Sequence, residues 1–219
     1  MWLYRIIIPL ASFFIGAIPF GLLISEGVAR IDITRRGSGN VGATNVAREL
    51  GLKWGILTLA LDLSKGFIPV YLFNHYFKSD FQAGLLIICL STLLGHQFSP
   101  FLRFRGGKGV ATALGVFLAI SPVQVIIALF LFIITVYITD YISLGSMIAA
   151  CSMPLLQLLF AESAELILAS LFMAALICVR HKENIGRLLR GEERRWRKRS
   201  FTAEAQGAGQ APRQNRNRY

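Results

Sequence analysis

Charged residues are scarce in this sequence, and three long stretches contain none at all. Asp, Glu, Lys and Arg together make up 16% of the chain. All four are missing from Ile6–Ile24, Phe81–Leu102 and Val110–Thr139. A soluble helix or strand alternates apolar with polar positions, whereas these stretches are apolar on every side. Because about 20 apolar residues let a helix cross a bilayer, the pattern excludes a soluble core and indicates membrane-spanning helices.

Cysteine is also rare, and its placement gives no sign of a metal site or a disulfide framework. The three cysteines, Cys89, Cys151 and Cys178, all lie inside apolar runs and lack the spacing of metal ligands. We expect them to be small buried hydrophobic residues. The acidic residues do not cluster with the histidines either, so the sequence requires no metal and no cofactor.

Acidic residues are outnumbered by basic ones. The 12 Asp and Glu against 23 Lys and Arg give a net charge of +11. A strongly basic protein can bind nucleic acid. In a chain that is 54% hydrophobic, however, anionic lipid head groups or anionic substrates are the better partners. We therefore expect a lipid bilayer as a partner and no nucleic acid.

Hydrophobic segments are abundant, and we count seven of them. The fourth has only about 11 residues, so it either tilts or forms a half-helix that begins inside the protein. The first could be a cleaved signal peptide, but it starts apolar at Met1 and lacks a short basic region, so we interpret it as a span. The predicted fold is an all-α integral membrane protein with about seven transmembrane helices. The segments are about 4–25, 53–73, 81–102, 110–120, 122–139, 142–160 and 164–180.

The basic residues predict how these helices are oriented. Of the 23 Lys and Arg, 20 lie in the connection 25–53, in the connection 103–108 or from Arg180 onward. Positive connections stay in the cytoplasm, so the N-terminus is predicted to be periplasmic and the C-terminus cytoplasmic, as seven spans require. Residues 1–199 then form a single membrane domain, and the polar residues 200–219 form a disordered tail.

The first basic connection contains a glycine-rich segment that could bind an anion. It runs from Arg35 to Arg48 as Arg-Arg-Gly-Ser-Gly-Asn-Val-Gly-Ala-Thr-Asn-Val-Ala-Arg. Its glycines allow tight turns, and a helix that begins near Asn40 or Thr44 would direct free N–H groups at a phosphate. The alternative is an ordinary polar loop between two helices.

The second basic connection carries the sequence Gly-Gly-Lys-Gly at Gly106–Gly109, directly before an apolar helix. Successive backbone N–H groups and the lysine charge resemble a phosphate cradle. The G-x-x-x-x-G-K-[ST] spacing of a Walker A loop is missing, so ATP binding has no support. The neighbouring Arg103 and Arg105 could serve only as topology charges.

The third basic region follows the last hydrophobic segment and places a histidine and an asparagine at helical spacing. His181, Asn184 and Leu188 share one helix face, so the imidazole and the amide can point at one target. Within the second segment, Asp62 and Lys65 are spaced i, i+3 and can form a buried ion pair. We expect this pair to tether helices; direct substrate contact is the less favoured alternative.

Together these three regions resemble the signature motifs of the bacterial acyl-phosphate:glycerol-3-phosphate acyltransferases (PlsY). The first motif is Gly-Ser-Gly-Asn-Val-Gly-Ala-Thr-Asn-Val-Ala-Arg at 37–48. The second runs from Gly-His-Gln-Phe at 95–98 to Gly-Gly-Lys-Gly-Val-Ala-Thr at 106–112, and the third is Arg-His-Lys-Glu-Asn-Ile-Gly-Arg-Leu-Leu-Arg-Gly-Glu at 180–192. Three long motifs in order are specific, and the resemblance covers roughly residues 1–195.

The resemblance implies transfer of a fatty acyl group from acyl phosphate to the sn-1 hydroxyl of glycerol 3-phosphate. The products would be lysophosphatidic acid and phosphate, in phospholipid biosynthesis. The donor would be neither acyl-CoA nor acyl carrier protein, and functional coupling to the enzyme that makes acyl phosphate is a further expectation. The implied location is the bacterial cytoplasmic (inner) membrane, with the active site facing the cytoplasm.

The resemblance also implies which residues form the site. His181, Asn184 and Ser38 would be catalytic. His181 could act as a general base, or the departing phosphate could take the proton, and the sequence leaves both open. The residues implied for substrate binding are Gly37, Asn40, Thr44, Asn45, Arg48, His96, Arg105, Gly106, Gly107, Lys108, Gly109, Thr112, Arg187 and Glu192.

Three other interpretations are less favoured. His75 and Asp80 match the His-x-x-x-x-Asp spacing of larger acyltransferases, but they fall in a predicted outer connection, so we attribute the match to chance. A transporter for a phosphorylated solute would also need anion-binding loops, yet the sequence shows no internal repeat. A lipid-binding scaffold would have no need for three polar glycine-rich loops.

Overall fold

The computed structural model describes residues 2–77 and 82–197, and within these ranges it consists of ten α-helices joined by short connections, without a β-strand. The all-α expectation is therefore confirmed for this part of the chain. The predicted tail 200–219 and Asp80 lie outside the described residues. The helices are α1 (Trp2–Ala17), α2 (Phe20–Ala29), α3 (Ala43–Leu50), α4 (Leu52–Phe77), α5 (Gln82–Gln97), α6 (Val110–Ile120), α7 (Pro122–Thr139), α8 (Ile142–Leu159), α9 (Ala164–Arg180) and α10 (Lys182–Leu189).

All seven predicted segments are helical, and α6 and α7 have the predicted bounds. Five helical stretches of the described chain are long and apolar enough to cross a membrane. The pair α9 and α10, bent by 60°, would be a sixth if it is one broken span. At 11 residues, α6 covers about half of a hydrocarbon core. The number of helices that cross the membrane therefore stays a prediction.

The first predicted segment is broken at Ile18 and Pro19, which separate α1 from α2. Proline has no N–H group and cannot continue the helical hydrogen bonds, so carbonyl groups before it need other partners. Ser99 Oγ donates to the carbonyl oxygen of Ala17 at 2.6 Å, and Lys65 Nζ donates to that of Ile18 at 2.7 Å. The break is thereby tied to α4 and to the end of α5.

The buried ion pair predicted within the second segment is present. Lys65 Nζ lies 2.7 Å from Asp62 Oδ1, and both side chains are buried. Because Lys65 also donates to Ile18, the pair links α4 to the break between α1 and α2. The pair therefore links helices, as we expect, and Asp62 also lines the cavity described below.

Glycines allow α4 and α6 to approach closely. A Cβ atom at Gly115 would lie 2.0 Å from the carbonyl oxygen of Leu63, and one at Gly66 would lie 2.1 Å from that of Thr112. Small residues at such contacts permit tight packing between membrane helices. The short helix α6 is therefore held firmly against α4, which fixes the position of the glycine-rich loop before it.

The cysteines differ from the expectation that all three are buried. Cys89 is buried, but Cys151 is exposed and Cys178 is partly exposed. The two sulfur atoms lie 3.5 Å apart between α8 and α9, and both thiols are free. The expectation was wrong for these two because the outer surface of a membrane bundle is itself apolar, so an apolar run does not imply burial.

The three basic regions meet at one end of the helical bundle, which we call the site end. Lys108, just before α6, donates to Asn184 on α10. Asp140, just after α7, accepts a hydrogen bond from the backbone of Trp196 at 3.0 Å. The start of α6 and the end of α7 therefore both lie beside the C-terminal region. The two helices form a hairpin that begins and ends at the site end.

Candidate active site

A cavity of about 430 Å³ opens at the site end and combines a polar limb with an apolar limb. The polar limb is formed by all three basic regions. Its charged and hydrogen-bonding side chains come from Ser38, Asn40, Thr44, Arg48, Lys108, Ser143, His181, Asn184, Arg187 and Glu193. The three regions that the sequence singled out are thus brought together around one space.

The apolar limb continues from this polar cluster into the bundle between α6, α7, α8 and α9. Buried residues such as Phe117, Val125, Met153 and Met173 belong both to its wall and to the hydrophobic core. Further lining residues on α4 and α7 are exposed on the outside of the bundle, so the cavity reaches the lipid-facing surface. These exposed residues are Leu52, Ile56, Leu59 and Leu129.

The first loop is organised by the buried amide of Asn45. Its Nδ2 donates to the carbonyl oxygens of Arg36 at 3.1 Å and Asn40 at 2.9 Å. Its Oδ1 accepts from the backbone N–H of Ser38 at 2.9 Å. Gly37 has a φ of +57°, and a Cβ atom there would lie 2.3 Å from Asn45 Oδ1. Gly37 and Asn45 therefore shape the loop, and Ser38, Asn40 and Asn45 all line the cavity.

The helix predicted after this loop begins at Ala43, between the two predicted starting residues. Its N-cap is Gly42, which provides no side-chain hydrogen bond to the first turn. Gly42, Ala43 and Thr44 all line the cavity, so the positive end of the helix faces it. Arg48 lies one turn further and lines the same cavity.

The second loop rests on the end of α5. The N–H groups of Gly106 and Gly107 donate to the carbonyl oxygens of Gln97 and His96, both at 3.1 Å. A Cβ atom at Gly107 would lie 2.2 Å from His96 Nε2. These two N–H groups are therefore already occupied, and Gly106 and Gly107 do not line the cavity. They support the loop beneath Lys108, so of the predicted phosphate cradle only Lys108 and Gly109 line the cavity.

Lys108 is the half-buried cation at the centre of the polar limb. Its Nζ donates to Asn184 Oδ1, and its own carbonyl oxygen accepts from Gln97 Nε2 at 2.9 Å. Burial lowers the pKa of Lys108 to about 8, although nearby Glu193 acts in the opposite direction. The Lys108 side chain is therefore mostly charged at neutral pH and loses its proton as the pH rises through about 8.

Glu193 connects the third region to the rest of the polar limb. Its Oε1 accepts from Asn184 Nδ2 at 2.6 Å and from Ser143 Oγ at 2.8 Å, and its Oε2 lies 2.8 Å from Arg187 Nε. Burial alone would raise the pKa of Glu193, but the hydrogen bonds from Arg187, Asn184 and Ser143 lower it overall. The carboxylate is therefore charged at neutral pH and orients Asn184 toward Lys108.

The carboxylate chosen from the sequence, Glu192, is placed elsewhere. It is exposed, pairs with Arg190 at 2.7 Å and does not line the cavity. Its neighbour Glu193 faces the site, and the sequence contains no signal that distinguishes two adjacent glutamates at the end of a motif. The path of the backbone after α10 determines which of the two glutamate side chains faces the cavity.

His181 lies at the bend between α9 and α10 and is buried. Its Nδ1 lies 2.8 Å from the carbonyl oxygen of Ile177. Because a carbonyl oxygen can only accept, Nδ1 carries the proton and Nε2 of the neutral ring is left with its lone pair. His181 and Asn184 both line the cavity, as their spacing predicts.

Several other predicted residues are placed away from the cavity or beneath it. Arg105 is exposed and does not line it. Thr112 is buried against Gly66 of α4, and His96 lies beneath Gly107 while reaching the cavity wall. Several other polar or aromatic lining residues lie between or beyond the sequence motifs, so sequence reasoning missed them. They include Ser143, Glu193, Arg194 and Trp196.

Comparison with known proteins agrees with this geometry. A sequence model described as glycerol-3-phosphate acyltransferase matches residues 6–191. A glycerol-3-phosphate acyltransferase of Desulfotalea psychrophila is 45% identical over 195 residues, which is 88% of this chain and 98% of the relative. One of Geotalea daltonii is 44% identical over 189 residues, which is 86% of this chain and 96% of the relative.

Two solved structures are also similar, and both are of PlsY (YgiH), an integral membrane glycerol 3-phosphate acyltransferase. The glycerol 3-phosphate form has a TM-score of 0.86 and 37% identity, and covers 90% of this chain and 98% of its own. The lysophosphatidic acid form has a TM-score of 0.83 and 38% identity, and covers 88% and 95%. This chain therefore has an all-helical integral membrane fold and belongs to the glycerol-3-phosphate acyltransferase family.

Proposed function

We propose that this protein transfers a fatty acyl group from acyl phosphate to the sn-1 hydroxyl of glycerol 3-phosphate. The products are lysophosphatidic acid and inorganic phosphate. One observation carries the proposal: a single cavity joins a cluster of phosphate-binding groups to an apolar limb that reaches the lipid-facing surface. A lipid donor can enter such a cavity from the bilayer while a soluble phosphate ester enters at the polar end.

The polar limb brings positive charge from three regions of the chain to one place. Arg48, Lys108 and Arg187 line it from three different regions of the chain, and the N-terminal turn of α3 adds a partial positive charge. Both acyl phosphate and glycerol 3-phosphate end in phosphate, so two anions must lie close together during the transfer. We assign phosphate binding to Lys108, Arg48, Ser38 and the first turn of α3.

The chemistry needs no acyl-enzyme, because the donor is already activated. The sn-1 hydroxyl attacks the acyl carbon, a new C–O ester bond forms, and the bond from that carbon to the phosphate oxygen breaks. We propose that His181 Nε2 and Asn184 orient the hydroxyl, since Nδ1 of His181 is committed to Ile177. The hydroxyl proton then passes to the departing phosphate, which accepts it as the bond to the acyl carbon breaks.

The orientation in the membrane is part of the same proposal. About seven helices lie in the inner membrane of a bacterium, with α6 as a short one that pairs with α7. The N-terminus is periplasmic, and the site end faces the cytoplasm. The gathering of the basic regions at one end supports this orientation, and the α6–α7 hairpin supports the odd number of spans. Acyl phosphate is a reactive lipid, so close coupling to the enzyme that makes it would limit its loss.

The donor specificity can be tested with the purified protein in detergent or vesicles. We expect acyl phosphate and glycerol 3-phosphate to give lysophosphatidic acid and phosphate in a one-to-one ratio, measured by lipid mass spectrometry and a phosphate assay. Acyl-CoA and acyl carrier protein should give no product above a protein-free control. Folded protein that forms no lysophosphatidic acid from acyl phosphate, or forms it equally well from acyl-CoA, would contradict the proposal.

The role of Lys108 predicts a dependence on pH. Since the lowered pKa of about 8 belongs to the free protein, kcat/KM for glycerol 3-phosphate should fall above about pH 8, by up to about tenfold per pH unit as the ammonium charge is lost. Lys108→Arg keeps its charge and should flatten this fall, whereas Lys108→Met should reduce kcat/KM at pH 7 by at least about tenfold. Lys53→Met, an exposed lysine away from the cavity, serves as the control. A Lys108→Met variant that keeps the wild-type kcat/KM at pH 7 would remove Lys108 from phosphate binding.

The role of His181 predicts an intermediate loss of rate on substitution. His181→Ala should lower kcat by about 10- to 100-fold, the effect of one lost orienting hydrogen bond. If His181 were an obligatory general base, its removal would lower kcat by about 10²- to 10⁴-fold. His75→Ala, near the opposite end of α4 from the cavity, is the matched control and should keep the wild-type rate. Activity within a few-fold of wild type would exclude His181 from the reaction.

A further inference from the structure

The segment 192–197, which we call the strap, crosses the polar limb of the cavity. It begins beyond residue 191, where the match to the family ends, and follows the last turn of α10. Glu193, Arg194 and Trp196 of the strap line the cavity. Beyond Glu192 the sequence motifs assign this segment no function, yet it forms part of the cavity wall.

The strap is held at both of its ends. At its inner end, Glu193 is bound by Asn184, Arg187 and Ser143. At its outer end, the N–H of Trp196 donates to the carbonyl oxygen of Asp140 at 3.0 Å. The next N–H, that of Arg197, donates to the Asp140 carboxylate, at 3.1 Å to Oδ1.

The outer attachment is built around the C-terminal end of α7. Asp140 has a φ of +65° and ends that helix, which directs its carbonyl and carboxylate groups toward the strap. Arg197 Nη2 donates to the carbonyl oxygen of Tyr137 at 3.1 Å, and its guanidinium group lies 5.2 Å from the Tyr137 ring centre. We call these contacts with Asp140 and Tyr137 the latch. Exposed ion pairs are individually weak, so the hydrogen bonds from the strap backbone to Asp140 determine its geometry.

Between its two ends, the strap contacts Arg48, one of the residues assigned to phosphate binding. Arg48 Nη2 donates to the carbonyl oxygen of Arg194 at 3.3 Å, and its guanidinium group lies 6.0 Å from the ring centre of Trp196. The half-buried indole of Trp196 therefore lies beside a phosphate-binding group, over the polar limb. The indole therefore forms part of the cavity wall beside the groups that would hold the phosphates.

We infer that Trp196 is a positioning residue that selects glycerol 3-phosphate over water as the acyl acceptor, with the strap serving as a cover latched on Asp140. The inference rests on the proposed function. Attack by the sn-1 hydroxyl on the acyl carbon gives lysophosphatidic acid and phosphate. Attack by water on the same carbon breaks the same bond and gives fatty acid and phosphate. Excluding water from the polar limb suppresses only the second reaction.

The ratio of the two products tests this inference, because a loss of folded protein lowers both products together and leaves their ratio unchanged. Acyl phosphate and glycerol 3-phosphate are supplied to the full-length protein, and fatty acid and lysophosphatidic acid are measured after subtracting spontaneous hydrolysis. We expect Trp196→Ala to raise the ratio of fatty acid to lysophosphatidic acid at least about fivefold. Trp196→Phe, which keeps an aromatic cover, should stay within about twofold of wild type.

Asp140→Asn provides a second variant that leaves the cavity lining intact. Asparagine tolerates the left-handed backbone conformation at this position and keeps an acceptor for the N–H of Arg197, but it removes the ion pair with the Arg197 side chain. The product ratio should therefore rise in the same direction, by a smaller factor than in Trp196→Ala. Arg190→Ala alters only an exposed pair with Glu192 and should keep the wild-type ratio. If the wild type forms lysophosphatidic acid while Trp196→Ala and Asp140→Asn both keep its product ratio, the role of the strap is overturned. A wild type that forms no lysophosphatidic acid would instead overturn the proposed function.

Discussion

Lys108 reaches Asn184 across the site end of the bundle, and Asn184 in turn is held by Glu193. This chain of contacts joins the loop before α6 to the helix after α9, which are far apart in the sequence. It places one cation, one amide and one carboxylate in fixed order on a shared cavity wall. Hydrogen bonds between these three side chains stabilise the arrangement, and removal of Glu193 would take away the acceptor of Asn184 Nδ2 and of Arg187 Nε.

The bundle beneath this chain of contacts determines where it sits. The glycine contacts between α4 and α6 fix the start of α6, and Lys65 with Ser99 fixes the break between α1 and α2. The membrane helices thus support both the loop before α3 and the loop that carries Lys108. The same helices leave an apolar limb open to the surface, so the cavity suits a substrate with a phosphate head and a long acyl chain.

Much of this architecture could be predicted from the sequence, because the signals were local. Long uncharged runs predicted the helices, and Ser121 with Pro122 marked the boundary between α6 and α7. Burial was harder to predict: Cys151 lies in an apolar run but faces outward. Glu193 and Trp196 line the cavity because the backbone after α10 turns back across it. No residue pattern at the end of a motif predicts that backbone path.

The central claim is that one cavity holds both the phosphate head and the acyl chain of the donor. It is tested most directly by an experimental structure of the protein with a hydrolysis-resistant acyl phosphonate bound. We expect the phosphonate group to lie within about 3 Å of Lys108 Nζ. We expect the acyl chain to lie in the apolar limb, beside Phe117 and Met153. A phosphonate bound away from Lys108, or a chain lying on the outside of the bundle, would contradict it.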